Sequence, residues 1–128
     1  MATILCVEDD PQLLALYQRV LEEQGFVVLT AREGRAAQRL LETLAVDLVI
    51  TDILMPDTDG IELIGYLLSH PPPPLVIAVS GGGQYFDGNS LLRAVRTLGV
   101  ENTLLKPFSG KHLVETVRQV LATGQIAW

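Results

Sequence analysis

Short runs of consecutive apolar residues alternate along this chain with segments whose apolar residues recur every three or four positions. The first pattern marks strands buried on both faces, the second marks helices with one buried stripe. Ile4–Val7 is the first strand. Asp10 then offers a capping oxygen and Pro11 lacks the amide that a first helical residue leaves unbonded. Leu13, Leu14, Tyr17, Val20 and Leu21 recur at helical spacing, and Gly25 ends the helix. Phe26–Thr30 is the second strand, and Arg35–Leu44 a helix with Ala36, Ala37, Leu40, Leu41 and Leu44 on one face. Leu48–Thr51 is the third strand, apolar up to Thr51. Asp59 looks like the cap of a third helix that turns Ile61, Ile64, Leu67 and Leu68 inward. The prolines Pro71–Pro74 stop it, because proline can neither donate to nor continue a helix. Leu75–Val79 is a fourth strand, Ser90–Leu98 a helix closed by Gly99, and Thr103–Leu105 a short fifth strand. Ser109 caps a last helix with Leu113, Val114, Val117, Val120 and Leu121 inward.

Five alternations of strand and helix predict a parallel sheet with right-handed crossovers and helices on both faces. With no internal repeat and no linker, residues 1–128 read as one domain. In such sheets ligands sit beyond the carboxyl ends of the strands, where the strand order reverses.

Composition narrows what such a site could serve. The chain has 128 residues and a formal net charge of −6, which opposes an electrostatic grip on nucleic acid or on an anionic membrane. No apolar run approaches the ~20 residues that cross a bilayer. The first residues start a strand without a basic leader, so a cytoplasmic location is expected. Cys6, the single cysteine, lies inside the first strand and reads as a small buried hydrophobe. His70 and His112 have no Cys/His cluster near them in the sequence and read as surface residues.

The strand ends carry the chemistry. Strand one ends in Glu8-Asp9-Asp10, strand three in Asp52, strand four in Ser80 and strand five in Lys106-Pro107. Taken singly these are a solvated turn with a cap, a loop carboxylate, a hydroxyl and a surface lysine. Together they bring carboxylates, a hydroxyl and an ammonium to one sheet edge. Crowded carboxylates repel unless a cation or proton intervenes. An all-oxygen cluster suits Mg2+, which is held by one or two carboxylates together with waters and a phosphate. A carboxylate can also act as a nucleophile and form an acyl phosphate, while Mg2+, Lys106 and Ser80 each contact a phosphoryl oxygen.

These residues resemble a known family, the response-regulator receiver domain of two-component signalling, over almost the whole chain. The matching pieces are Ile4-Leu5-Cys6-Val7-Glu8-Asp9-Asp10, Asp47 through Pro56 followed by Asp59-Gly60, Val79-Ser80-Gly81 and Leu105-Lys106-Pro107-Phe108. The resemblance implies a flavodoxin-like doubly wound α/β fold, with five parallel strands in the order 2-1-3-4-5 and five helices. It implies that Asp52 accepts a phosphoryl group from a phosphohistidine on a sensor histidine kinase or a histidine phosphotransfer protein. Mg2+ would be held by Asp9 and Asp52 directly, by Glu8 through water and by the backbone carbonyl of Leu54. Ser80 and Lys106 would bind the phosphoryl group, with a cis Lys106–Pro107 bond. Phosphorylation would then change the surface of the fourth helix and fifth strand that meets a downstream protein. Such a chain catalyses its own phosphorylation and dephosphorylation without being a turnover enzyme.

Two features depart from the family pattern. Thr103 stands where an aromatic is usual, so aromatic rotation is not the expected switch, and the fourth-helix face reorders as a loop instead. The stretch Gly81–Asn89 is long and glycine-rich, with Tyr85 or Phe86 as candidate substitutes for the missing ring. Exposed parts of the last helix, with Leu104, are a candidate face for a partner or a second copy of the chain. Pro71–Pro74 reads as a rigid connection rather than a ligand for a proline-reading domain. The rival functions are a phosphorelay carrier, which the same residues would serve, and an unphosphorylated interaction module, which the intact set Asp9, Asp52, Ser80 and Lys106 opposes. A phosphohydrolase working through an aspartyl phosphate would need a second acid–base aspartate where Leu54 stands.

Overall fold

The computed structural model describes residues 2–53, 60–70, 72–81, 93, 95–97, 99–100 and 102–124. Five strands, β1 (Thr3–Val7), β2 (Val27–Ala31), β3 (Leu48–Asp52), β4 (Leu75–Ser80) and β5 (Asn102–Leu105), form one sheet in the order β2-β1-β3-β4-β5. Every pairing is parallel. The helices are α1 (Pro11–Glu23), α2 (Gly34–Thr43), α3 (Gly60–Leu68), α4, of which residues 93 and 95–97 are described, and α5 (Gly110–Thr123). The architecture is the flavodoxin-like one that the resemblance implies, with the parallel sheet that the alternation predicts.

Alternating side chains along each strand separate two cores. Leu5, Val7, Val49, Val76 and Ala78 face α2, α3 and α4, meeting Ala37, Leu63, Ile64, Leu67 and Val95. Ile4, Cys6, Leu48, Ile50, Ile77, Val79 and Leu104 face α1 and α5, meeting Leu14, Tyr17, Leu21, Leu113, Val117 and Val120. β3 is buried along its whole length, which accounts for an apolar run without alternation.

The caps expected from the sequence are present. Asp10 accepts hydrogen bonds from the amides of Gln12 and Leu13, Pro11 starts α1, and Ser109 accepts from the amide of His112. Gly25 adopts a φ of 90° after α1, a left-handed turn that favours glycine. Asp59, the expected cap of α3, lies outside the described residues, as does much of the 90–98 helix.

Several expected boundaries and faces differ. β3 and β4 each continue one residue further, so that Asp52 and Ser80 are the last residues of their strands. Phe26 precedes β2, its amide bonded to the Leu21 carbonyl at the end of α1. Leu44 and Leu68 are exposed rather than inward: Leu44 is the C-cap of α2 and Leu68 the last residue of α3, each beyond the reach of the sheet. Leu104, expected on an outer face, is buried, and it is Leu105 that is exposed. Successive residues of a strand point to opposite sides, so a shift of one position exchanges the two faces. No helix among the described residues is long and apolar enough to cross a membrane. His70 and His112 are exposed.

Candidate functional site at the carboxyl ends of the strands

Parallel strands all deliver their carboxyl ends to one edge of the sheet, and the main chain there is tied across the strands. The amide of Glu8 donates to the Ala31 carbonyl at 3.1 Å, that of Ile53 to Val79 at 2.9 Å and that of Lys106 to Ser80 at 2.8 Å. These bonds hold Glu8, Asp52, Ser80 and Lys106 in a fixed relation before any side chain interacts. Asp52 is the register partner of Val79, the residue before Ser80.

Lys106 extends between two carboxylates. Its Nζ donates to Glu8 Oε1 at 2.5 Å and to Asp52 Oδ2 at 2.8 Å. Room for its stem comes from Gly81, where a Cβ would stand 3.2 Å from Lys106 Cδ and 3.3 Å from its Cβ. The Lys106–Pro107 bond is cis, as the resemblance implies. The other oxygen of Glu8 accepts from the amide of Asp10 at 3.3 Å. Carboxylate oxygens of Glu8, Asp9 and Asp52 all lie within 4.8 Å of one another. Glu8 and Asp52 are buried and Asp9 is half-buried. At the rim, the Arg32 guanidinium approaches the backbone carbonyl of Asp9 at 3.5 Å.

Burial dominates the electrostatics. It raises Glu8 to about 7, against the lowering effect of the Lys106 hydrogen bond and with a further rise from Asp9. Burial alone would pull the Lys106 ammonium down, but the hydrogen bonds it donates to Asp52 and Glu8 outweigh that and hold it above the ordinary lysine range. Lys106 is therefore the cation that makes two buried, closely spaced carboxylates tolerable. Lys106→Met is expected to lower stability by about 2 kcal/mol at neutral pH, less than a fully buried pair would cost because Lys106 is partly solvated and Glu8 can take a proton. Urea unfolding without divalent ions measures this, and an unchanged midpoint would count against the ion pair as the support of this edge.

Three carboxylates offering only oxygen, with a lysine beside them, fit a hard divalent cation such as Mg2+ and a phosphoryl group. Glu8, Asp9, Asp52, Ser80 and Lys106 are all at the one edge where the sequence places them. Leu54, Tyr85 and Phe86 lie outside the described residues. Cys6 is buried beneath the site, and burial pushes its thiol up to about 12, so it is not a nucleophile at neutral pH. Thr103 faces α4, where its hydroxyl accepts a 3.0 Å hydrogen bond from Arg96. Two glycines matter more than the sequence reading recognised. Gly81 makes space for Lys106, and Gly60 packs against the backbone of Asp52 and Ile53. The tightness of both contacts comes from tertiary approach, which no local pattern displays.

Comparison with known proteins gives a consistent picture. Residues 4–118 match the family model described as "Response regulator receiver domain". The chain is 33% identical over 121 residues to "Transcriptional regulatory protein CpxR" of Klebsiella pneumoniae, covering 94% of this chain and 50% of that protein. It is 32% identical over the same length to the Escherichia coli K12 protein of that name, with the same coverage. The chain thus spans about half the length of these curated relatives. Among solved structures, the receiver domain of the Francisella response regulator 1452 superposes with a TM-score of 0.83 at 25% identity, covering 98% of this chain and all of that one. The response regulator protein TrrA of Thermotoga maritima, solved in complex with Mg(2+)-BeF, superposes with a TM-score of 0.80 at 27% identity, covering 94% and 99%.

Proposed function

Because the chain belongs to the response regulator receiver domain family, whose general function is a phosphorylation switch, we propose that Asp52 is its phosphoacceptor, working with Mg2+ held by Glu8, Asp9 and Asp52. The observation that supports this most directly is the Lys106 bridge to Asp52, set among three carboxylates whose oxygens lie within 4.8 Å of one another. The donor is a phosphohistidine on a sensor histidine kinase or a phosphotransfer protein. A carboxylate oxygen of Asp52 attacks phosphorus, the phosphorus–nitrogen bond breaks, and the departing imidazole takes a proton from solvent. When bound, Mg2+ supplies positive charge to the transferring phosphoryl oxygens.

This chain's own groups do the rest. Glu8 and Asp9 place negative charge where the cation would be held, and Glu8 would reach it through water. Asp9 would ligate it directly, and the family resemblance adds the backbone carbonyl of Leu54 to the ligands that would hold it. Lys106 turns from both carboxylates, Glu8 and Asp52, to a phosphoryl oxygen, neutralising charge that develops there. Ser80, the last residue of β4, donates its hydroxyl to another phosphoryl oxygen. Hydrolysis by water returns Asp52 to the carboxylate, so the chain is a timer and not a turnover enzyme.

Phosphorylation adds negative charge at the edge and shifts the population between two arrangements of the 81–105 segment. The hydrogen bond from Arg96 to Thr103 fastens α4 to β5 in the present arrangement, at the position where the family usually has an aromatic. The face formed by α4 and β5 then meets a downstream protein. A net charge of −6 opposes an electrostatic hold of this domain on nucleic acid.

The test is intact mass after incubation with Mg2+ and acetyl phosphate. One phosphoryl adduct is expected, absent when a chelator is added first. No adduct, together with no Mg2+ binding by calorimetry, would leave a folded interaction module as the better reading.

A further inference from the structure

Tyr17 is a buried residue of α1 with a polar atom that the switch described above does not use. It is 4% exposed, and its ring stacks on Phe108 with centroids 5.7 Å apart and planes 18° apart. Its hydroxyl is, among the described residues, the one buried side-chain nitrogen or oxygen without a hydrogen-bond partner. Leaving such a group unpaired is unfavourable. A phenylalanine would fill the same space without that cost.

The hydroxyl belongs to the layer directly under the phosphorylation edge. Tyr17 packs in the α1–α5 core with Cys6, Ile50 and Leu104. Each of these lies two positions before a site residue, namely Glu8 just past β1, Asp52 at the end of β3 and Lys106 just past β5. Period-two alternation puts Asp52 on the same side of the sheet as Tyr17, and Lys106 joins it there to Glu8. Tyr17 and Lys106 also line a common cavity of about 460 Å3 between α1 and the Lys106–Phe108 segment. The charges of Lys106, Glu8 and Asp52 all act on the phenol, although burial is the larger influence on it.

Glu8 completes the argument. It is 1% exposed, and its Oε1 accepts from Lys106. Its Oε2 accepts a long 3.3 Å contact from the Asp10 amide, and its other side-chain neighbour, Asp9, is a second carboxylate. If Lys106 turns to a phosphoryl oxygen on Asp52, Glu8 Oε1 loses its ammonium donor in the compartment that holds a buried hydroxyl with no acceptor.

We propose that Tyr17 is a positioning residue for the loaded site, its hydroxyl donating to Glu8 once Lys106 leaves that carboxylate for the phosphoryl group. The inference rests on the reading of Asp52 as phosphoacceptor. A bond formed only in the loaded arrangement favours that arrangement over the unloaded one. The orphaned hydroxyl of the unloaded state and its partner in the loaded state are then two halves of one bias.

The experiment uses the full chain, with Tyr17→Phe and Tyr17→Leu beside wild type. Three quantities are measured: binding of beryllofluoride with Mg2+ as a stable phosphoryl mimic, binding of Mg2+ alone, and the unfolding midpoint without ligand. Tyr17→Phe is expected to weaken beryllofluoride binding about five- to tenfold, the size of one hydrogen bond made only in the loaded state. Its affinity for Mg2+ alone should stay within about twofold, and its midpoint should match or exceed wild type, since an unpaired hydroxyl has been removed. Tyr17→Leu should show the same weakening with a lower midpoint, because the stack on Phe108 is lost. Wild-type beryllofluoride affinity in Tyr17→Phe would overturn the inference, as would an equal loss of affinity for Mg2+ alone, which marks a purely structural role. A wild-type chain that binds no beryllofluoride overturns the phosphoacceptor reading, and this inference with it.

Discussion

Asp52→Asn is expected to take no phosphoryl group under conditions that label the wild-type chain, a loss on the order of a thousandfold or more, the scale on which removing a nucleophile acts. The amide is isosteric with the carboxylate but lacks the charge and the basic oxygen that attack phosphorus. Its carbonyl oxygen can still accept from Lys106, which now donates to Asp52 Oδ2 at 2.8 Å. One of three converging negative charges is removed, so the folded state should be as stable as wild type or more so. The measurement is a time course of intact mass with acetyl phosphate, beside a urea curve. Labelling of the asparagine variant at the wild-type rate would mean that the acceptor is elsewhere. A failure to fold would mean that Asp52 carries stability rather than chemistry.

Gly60→Ala should damage the same edge by a different route. A Cβ at Gly60 would stand 2.0 Å from the carbonyl oxygen of Asp52, 2.7 Å from Ile53 Cα and 2.9 Å from the carbonyl carbon of Asp52. All three are backbone atoms of a strand end, so no flexible side chain can move aside. The Gly60 amide also donates to the Ile53 carbonyl at 2.7 Å, fixing the approach that leaves no space. Overpacking a site that can relax costs about 1–3 kcal/mol; here about 3 kcal/mol or more is expected. Gly65→Ala is the control on the same helix. Nothing lies within 4 Å of its added Cβ, and alanine in place of glycine in a helix should raise stability by about 0.5–1 kcal/mol. Urea midpoints moving in opposite directions would bear out the contact. Equal midpoints for the two variants would show that α3 can slide away from β3 at little cost.

Much of this architecture was legible in the sequence, for reasons that particular residues make plain. A strand buried on both faces is continuously apolar, so the polar residues that follow the run mark its end. Glu8, Asp52, Ser80 and Lys106 were found in that way, and the parallel sheet then placed them together without knowledge of any distance. Asp10 and Ser109 were recognisable as caps because capping is a local act of one side chain on the next few amides. Leu44, Leu68 and Leu104 were misplaced because periodicity reports which side of an element is apolar. It does not report where the neighbouring element stops covering it, nor the register of a four-residue strand. Tyr17 was placed correctly as an inward residue, but helical spacing says nothing about whether a buried hydroxyl finds a partner. The close approach of Gly60 to β3 depends on the path of a chain eight residues from Asp52, beyond any window of local preference.

The sheet separates two cores that share only its backbone, and this constrains how news of a phosphoryl group can spread. Glu8, Asp52 and Lys106 lie on the α1–α5 side, while alternation turns Ser80 and Thr103 toward α4. A phosphoryl group bound by both Lys106 and Ser80 would straddle the partition and pull on each compartment by a separate handle. Between those handles runs main chain clamped from Ile53 to Val79 and from Lys106 to Ser80. A partition so clamped bends little at any single point, so the far compartment feels the event as a displacement of the whole strand end. Under the proposed switch, the two compartments would then respond together, through the strand ends they share, and not through separate local adjustments.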